Sequence, residues 1–230
     1  MLRRWMLIAG ATAISVTTEA CAQLSGSVSV LSDYRFRGVS FSEEKPAAQA
    51  DVNYDFASGL YAGAFFSTVR FASYPDVHRQ VVTYGGYARR ISSDLSVDIG
   101  VSYADLSHGS DFDYLEVHAG VTASFLNMQL SYAPKYFGQQ RAGTYLEMNS
   151  GTQLTDSVRI FGHAGALYVE PGPYQHASGT QFDGRIGLRY ERDYFNAQVS
   201  WVAVNRISLS YPVDSNQSRN ALVVQFALFF

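Results

Sequence analysis

Every second residue from Leu222 to Phe230 is large and apolar in the stretch Asn220-Ala221-Leu222-Val223-Val224-Gln225-Phe226-Ala227-Leu228-Phe229-Phe230. A period of two predicts a β-strand with one strongly apolar face. In a water-soluble protein such a strand is an edge that promotes aggregation. In a transmembrane β-barrel it is the closing strand, with its apolar face against lipid. The stretch therefore favours a membrane barrel over its rival, a β-sandwich.

The end of this strand resembles the signal by which the bacterial barrel-assembly machinery recognises its clients. The residues that carry the resemblance are Phe226, Leu228 and Phe230. It implies that these residues form a barrel-closure signal and that the assembly machinery is a partner during biogenesis.

The N-terminal segment predicts an export signal. Arg3 and Arg4 are positively charged, and residues 5–16 are apolar or small but too few to span a bilayer. Ala20-Cys21-Ala22 has the small-x-small pattern of a cleavage site, which would leave Gln23 as the first mature residue. The expected location is the cell outer membrane of a Gram-negative bacterium.

We expect a signal peptide over residues 1–22 and a single outer-membrane β-barrel domain over residues 23–230. No interdomain linker divides the second range. Lipoprotein processing at Cys21 is the alternative, although Thr18 and Glu19 match its signal poorly.

The composition excludes several classes of site. Cleavage after Ala22 would remove Arg3, Arg4 and Glu19. The 17 basic and 20 acidic residues of the full chain would become 15 and 19 in the mature chain, whose net charge would be −4. No cysteine would remain, so a disulfide framework and a thiolate metal site are excluded, and no basic tract predicts nucleic-acid binding. We expect no cofactor. The mean hydropathy of −0.06 is typical of soluble proteins, but a barrel with alternating faces averages to the same value.

About twelve alternating segments follow the N-terminal segment, each near the length of about ten residues with which a tilted strand crosses a membrane. They are residues 24–35, 46–56, 59–70, 79–91, 94–105, 113–123, 126–136, 143–154, 157–168, 180–190, 194–204 and 220–230. The segment 79–91 alternates poorly, and its phase stays open. The 16 tyrosines, 15 phenylalanines and 2 tryptophans suit the aromatic girdles of a membrane barrel.

The predicted connections alternate in length. Short turns lie at 57–59, 92–94, 124–125, 155–156 and 191–193. Longer polar links lie at 36–45, 71–78, 106–112, 137–142, 169–179 and 205–219. This alternation is typical of an even-stranded barrel, with short periplasmic turns and longer outer loops. We therefore predict an all-β fold, a single antiparallel transmembrane β-barrel of about 12 strands.

The same alternation places most charged side chains on the inner face. The predicted inward residues are Asp33, Arg35, Arg37, Asp51, Asp55, Asp98, Glu116, His118, Lys135, Glu147, Arg159, His163, Asp183, Arg185 and Arg189. A lumen of mixed sign suits a water-filled pore, and it equally suits a salt-bridged plug that holds the barrel shut.

A family resemblance adds to this interpretation. The segments Ser32-Asp33-Tyr34-Arg35-Phe36-Arg37-Gly38-Val39-Ser40, Ser58-Gly59-Leu60-Tyr61-Ala62-Gly63 and Tyr84-Gly85-Gly86-Tyr87 carry it. They resemble a proteobacterial family of suspected porins that was first catalogued as conserved proteins of unknown function. The resemblance implies an outer-membrane barrel. Residues 81–83 depart from it, because Val81, Val82 and Thr83 stand where members often carry acidic residues.

Two groups of inward charges are candidate selectivity residues. Asp33, Arg35 and Arg37 share a predicted strand face, where they could form a charged constriction or merely brace the wall. A basic stripe on one side of the lumen could orient polar solutes against an acidic wall. The stripe comprises Lys135, Arg159, Arg185 and Arg189, and the acidic wall comprises Asp51, Asp55 and Asp98.

These features predict an outer-membrane channel, a porin for passive diffusion of small polar solutes or ions. A closed structural or surface-interaction barrel is the alternative. A lipid-modifying enzyme is a weaker one, because the residues of His108-Gly109-Ser110-Asp111 are adjacent in one loop and cannot stack as a catalytic triad. The paired-histidine spacing of a metal site is absent from the sequence, so we expect no metal.

Overall fold

The computed structural model describes residues 23–107, 111–171, 179–207, 211–214 and 216–230. Its strands are β1 (Gln23–Leu31), β2 (Arg35–Phe36), β3 (Val39–Ser40), β4 (Ala47–Asp55), β5 (Leu60–Thr68), β6 (Arg79–Arg90), β7 (Leu95–Asp105), β8 (Tyr114–Ala123), β9 (Leu126–Ala133), β10 (Gly143–Gln153), β11 (Val158–Val169), β12 (Gly179–Glu191), β13 (Phe195–Val204) and β14 (Asn220–Phe229). A short 3₁₀ turn spans Tyr136–Gly138. Within these ranges no helix is long and apolar enough to cross a membrane.

Twelve of the strands close into an antiparallel barrel, and β2 and β3 form a separate hairpin. Each barrel strand pairs with its neighbour in sequence, and β1 closes the ring by pairing with β14 on one side and β4 on the other. The predicted fold class and strand number are therefore confirmed.

The two faces of each strand differ as the sequence period predicts. On β14, Leu222 and Phe226 are 60% and 52% exposed, whereas the alternate residues Val223 and Gln225 are 2% and 3% exposed. The outward residues of the other strands are also mostly apolar. A continuous exposed apolar surface of this kind needs a lipid environment.

The seam between the first and last strands rests on a glycine. Gly26 and Phe230 exchange two backbone hydrogen bonds of 3.1 Å, and the Phe230 ring lies over Gly26. A Cβ atom at residue 26 would lie 2.5 Å from that ring and 2.8 Å from the Asp51 carbonyl oxygen. Since backbone blocks one side and the ring the other, only glycine fits here. The closing residue Phe230 therefore packs on the strand that it joins.

We expect Gly26→Ala to lower the free energy of unfolding by about 1–3 kcal/mol, as overpacking does elsewhere. Gly162→Ala is the matched control, because its new Cβ would meet only the Arg185 carbonyl oxygen, at 3.8 Å. That change should be neutral or stabilise slightly. Urea unfolding of the barrel in micelles measures both, and equal stabilities for the two variants would contradict the packing role of the seam.

Two predicted segments end earlier in the structure, and a third acquires a defined phase. The sequence predicts a first strand that reaches residue 35, but β1 ends at Leu31. It predicts a seventh that reaches residue 136, but β9 ends at Ala133 and the 3₁₀ turn follows. The phase of the fourth segment is now defined, because Gln80 and Val82 lie on the buried side of β6 and Thr83 and Tyr87 are exposed.

The link between β1 and β4, here called loop 1 (residues 32–46), folds into the long-loop end of the barrel. Its β2–β3 hairpin packs against residues from other links and from the inner wall. The buried apolar residues there include Val39, Phe41, Phe71, Phe137 and Tyr211. The core of the protein thus lies at one end of the barrel, whereas the inner wall near the short turns is polar.

Candidate functional site: the barrel lumen

The tip of the β2–β3 hairpin crosses the lumen. Arg37 and Gly38 form the turn with φ angles of 48° and 81°, in the left-handed region that glycine adopts readily. Arg37 donates through Nη2 to both carboxylate oxygens of Glu116 on β8, at 2.9 and 2.8 Å. In the ring of strands, β8 lies five strands from β1 by the shorter path. Arg37 therefore links a hairpin that follows β1 to the far wall.

Aromatic rings surround the Arg37 guanidinium. Its Cζ lies 4.1 Å from the ring centre of Tyr145 and 4.9 Å from that of Phe36. Its Nη1 donates to the Tyr136 hydroxyl at 2.9 Å. That hydroxyl in turn donates to the Tyr211 hydroxyl at 3.1 Å. Burial raises the pKa of Tyr136 to about 12, so its phenol stays neutral and keeps its proton. The cation is therefore fixed by one carboxylate and several rings.

Asp33 and Arg35 do not share a strand face with Arg37, so that prediction is wrong. Asp33 lies beyond the end of β1, and Arg35 is the first residue of the hairpin strand β2. Asp33 accepts from Arg35 Nε at 2.7 Å and from the Ser40 hydroxyl at 2.6 Å. Arg35 Nη1 also donates to the Ser218 carbonyl oxygen at 2.9 Å. These bonds tie loop 1 to itself and to the link before β14.

One wall of the lumen carries the predicted acidic residues. Asp51 on β4 accepts from Asn53 Nδ2 at 2.9 Å and from the Tyr84 hydroxyl at 3.1 Å. Asp98 on β7 lies 3.1 Å from His118 Nε2 on β8, and both side chains are largely buried. Asp55, near the short-turn end of β4, alternates with the same face. All three predicted acidic residues therefore lie on the inner side of β4 and β7, which are separated in the ring by β5 and β6.

Glycines on this wall let tyrosine rings lie flat against the barrel. The Tyr84 ring covers Gly63, and the Tyr61 side chain covers Gly86 and Gly100. The Tyr61 hydroxyl lies 3.1 Å from His118 Nε2. In the sequence, the Tyr84–Tyr87 motif is visible only as a resemblance. The structure gives a physical reason for glycine in this motif, because a side chain at Gly86 would collide with Tyr61 on the neighbouring strand.

A second network lies beneath Tyr145, on β10 to β12. The Tyr145 hydroxyl lies 3.1 Å from His163 Nε2 and donates to Asp183 at 3.1–3.2 Å. His163 Nε2 is 2.9 Å from Asp183 Oδ1, and its Nδ1 is 2.8 Å from Asn149 Oδ1. Glu147 is buried beside this network. Both inward histidines thus make hydrogen bonds within the lumen.

The predicted arginines cluster on β11 and β12. Arg159 and Arg189 are directly paired residues of the two strands, and both are buried. Arg185 lies on the same face of β12, nearer its long-loop end. The Phe161 ring contacts two of these arginines, with Arg185 Cζ at 5.5 Å and Arg189 Cζ at 5.1 Å from the ring centre. Arg189 donates to Gln198 and lies 3.7 Å from Glu191.

The ring order places these arginines across from the acidic wall. In a ring of twelve strands β11 and β12 lie opposite β5 and β6, with β4 and β7 next to that pair. Lys135 does not belong to the stripe, so that prediction is wrong. It lies beyond the end of β9 and its side chain is exposed. The basic cluster consists of Arg159, Arg185 and Arg189.

A family model described as "Bacterial protein of unknown function (Gcw_chp)" matches residues 15–226. The chain belongs to the Gcw_chp family. Membership in a bacterial family of unknown function is thereby confirmed, whereas the role of residues 32–40 as its signature stays a prediction. No curated protein matches the sequence of this Gcw_chp chain.

Solved structures show what this Gcw_chp barrel resembles. A KdgM porin aligns with a TM-score of 0.58 and 14% identity over 90% of this chain and 98% of that chain. A NanC porin aligns with a TM-score of 0.59 and 10% identity over 90% and 99% of the two chains. A second KdgM porin structure, in complex with disordered oligogalacturonate, aligns with a TM-score of 0.51 and 12% identity over 91% and 96%. At these identities the likeness shows a shared porin-type barrel fold.

In the part of the chain that the structure describes, no three or more His, Cys, Asp or Glu residues are grouped to hold a metal ion. His108 and Ser110 of the loop motif, like the predicted signal peptide over residues 1–22, lie outside the described residues.

Proposed function

We propose that this protein is an outer-membrane channel for small polar solutes and ions, with a preference for anions. The observation that carries the proposal is the polar lumen of a closed barrel, with Arg159, Arg185 and Arg189 on one wall and Asp51 and Asp98 on the other. Charged walls of opposite sign orient a polar solute and select by charge. The apolar outer surface and the porin-type fold support an outer-membrane location with lipid as a partner.

The hairpin tip makes the proposed channel narrow at its outer end. Arg37 bridges the lumen, and Phe41 and Phe137 behind it are fully buried. Short turns face the periplasm in barrels of this kind, so the arginine cluster lies on the periplasmic side of the tip. Solutes would cross the barrel only when loop 1 shifts, and they would pass the arginines on the way.

The preferred solutes would carry a carboxylate. Arginine matches carboxylates in shape as well as in charge, and β11 and β12 carry three arginines on one wall of the lumen. The structural neighbour in complex with oligogalacturonate is a porin that binds an acidic saccharide. Its fold is shared by this chain, which makes sugar acids the first solutes to test.

Liposome swelling tests this proposal directly. Vesicles that contain the barrel should swell faster in glucuronate than in glucose, because the basic cluster concentrates the anion. Empty vesicles and vesicles with heat-unfolded protein provide the baseline. Swelling in neither solute, by a barrel that is folded on a gel, would overturn the channel.

A closed structural or surface-interaction barrel is the second candidate. The observation in its favour is the buried aromatic core at the long-loop end, where Val39, Phe41, Tyr136 and Phe137 have no exposed surface. Such a core would hold the outer loops rigid and present them to partners outside the cell. In that case the lumen charges would only stabilise the barrel.

Two further proposals follow from the sequence. Residues 1–22 act as a signal peptide that is cleaved during export. Phe226, Leu228 and Phe230 act as the signal for the barrel-assembly machinery, consistent with their position on or beside the closing strand β14. An enzymatic role is not proposed, because the porin-type neighbours favour a channel.

A further inference from the structure

Arg185 differs from the other cations of the lumen in its partners. Its Nε donates to the Ser200 hydroxyl on β13 at 2.9 Å. Within the described part of the chain, the structure gives it no carboxylate partner, whereas Arg37 binds Glu116 and Arg35 binds Asp33. An arginine has five N–H donors in a planar fork, and among the described residues the structure shows a hydrogen bond from one of them, that on Nε. Its two terminal nitrogens therefore have hydrogen-bonding capacity left.

The surroundings hold this fork in place. The Ser200 bond fixes one edge of the guanidinium, and the Phe161 ring lies 5.5 Å from its Cζ. Gly187, two residues further along β12, leaves room for that ring. A guanidinium fixed on two sides loses less entropy when it binds a ligand. The side chain is half-buried, so it remains accessible from the lumen.

A second cation, Arg189, lies on the same face of β12 as Arg185. The direct partner of Arg185 across β11 is His163. Asp183, the acidic residue above it on β12, is engaged by His163 at 2.9 Å and by Tyr145. The β13 residues beside Arg185, its direct partner Val202 and the hydrogen-bonded Ser200, are uncharged. An incoming anion would therefore meet an attractive field and an oriented fork.

The position suits a solute in transit. Gly38 at the hairpin tip packs against Asp183, so closely that a Cβ atom at residue 38 would lie 2.8 Å from the Asp183 Cβ. Arg185 is the next inward residue of β12 towards the short turns. A ligand held there would sit directly beneath the hairpin that restricts the lumen.

We infer that Arg185 is the anchor of a discrete binding site for a carboxylate, which its two terminal nitrogens hold bidentately. The site rests on the proposed function only in requiring that solutes reach the lumen. Binding is measured in detergent, where no conduction is needed, so its failure and the failure of the channel are distinguishable.

The test is NMR line broadening of glucuronate labelled with ¹³C at the carboxyl group, titrated with the barrel in micelles, with glucose as the neutral reference. We expect broadening for the wild-type protein and affinity lower by about tenfold or more in Arg185→Gln, because a charge-assisted bidentate pair is lost. Arg185→Lys keeps the charge but not the planar fork. On a logarithmic scale, its loss of affinity should be roughly half of the loss in Arg185→Gln. Arg192→Gln, on an exposed short turn, is the matched control and should bind as the wild type does.

Several results would overturn the site. They are no broadening with the wild-type protein, equal losses in Arg185→Gln and Arg192→Gln, or full affinity in Arg185→Lys, which would leave charge alone as the cause. Heat-modifiable migration on a gel checks that each variant is folded. If Arg185→Gln does not fold, Ser200→Ala provides the second variant, since it frees the guanidinium and should weaken binding about threefold.

Discussion

Arg37→Ala is expected to raise the mean current through the barrel by about tenfold. A charge-assisted pair of this kind contributes about 1.5–3 kcal/mol, and its loss shifts the balance between a closed and an open hairpin by a factor of about ten or more. The side chain binds both oxygens of Glu116 across the lumen and is largely buried there. Planar-bilayer recordings at fixed protein density measure the change.

Lys45→Ala is the control for this experiment. Lys45 lies in the same loop, but its side chain is exposed, and its partner, the half-buried Glu43, is 3.6 Å away. Its removal should leave the current unchanged. If Arg37→Ala conducts no better than Lys45→Ala, the hairpin tip does not restrict conduction.

Arg185→Glu together with Arg189→Glu should reverse the ion preference of the channel. The change replaces two cations by two anions on β12. This strand lies opposite β5 and β6, whose outer neighbours β4 and β7 carry Asp51 and Asp98. We expect the permeability ratio of anions to cations to fall by roughly tenfold, so that the reversal potential in a KCl gradient changes sign. The double change to glutamine should give an intermediate value.

The control for selectivity is Arg192→Glu. Arg192 lies on an exposed turn outside the lumen, where salt screens its charge. The reversal potential of the Arg192→Glu variant should match that of the wild type. Unchanged reversal potentials in the double glutamate variant would remove Arg185 and Arg189 from the conduction path.

The strands were predictable because lipid and lumen impose opposite demands on alternate residues. Leu222 to Phe230 shows this directly, since its large apolar residues are the exposed ones. The strand 79–90 was harder, because Gly85 and Gly86 have no side chain to reveal a face and Tyr84 points inward. Its phase became clear only from its pairing with β5 and β7.

The position of loop 1 was not predictable from local sequence. The partners of Arg37 are Glu116 and Tyr136, which lie 79 and 99 residues away. Alternation through Asp33, Arg35 and Arg37 imitates a continuation of the first strand, but β1 ends at Leu31 and the chain then forms the β2–β3 hairpin. Lys135 misleads in the same way, because the sequence pattern continues to residue 136 whereas β9 ends at Ala133 and a 3₁₀ turn begins at Tyr136.

The aromatic residues serve two structural roles, whereas the sequence suggested only the membrane girdles. Tyr103, Tyr132 and Tyr168 are exposed on the outer surface, as girdle residues are. Tyr136, Tyr211 and others are instead buried at the long-loop end around Arg37. Composition cannot separate these groups, because both need large rings with a polar group at the tip.

The most direct test of the channel is single-channel recording of refolded residues 23–230 in a planar bilayer with a KCl gradient. We predict discrete conductance steps with a reversal potential on the anion-selective side, and more frequent steps for Arg37→Ala. A folded barrel that shows no steps, either as the wild type or as Arg37→Ala, would contradict the channel and would establish the closed barrel instead.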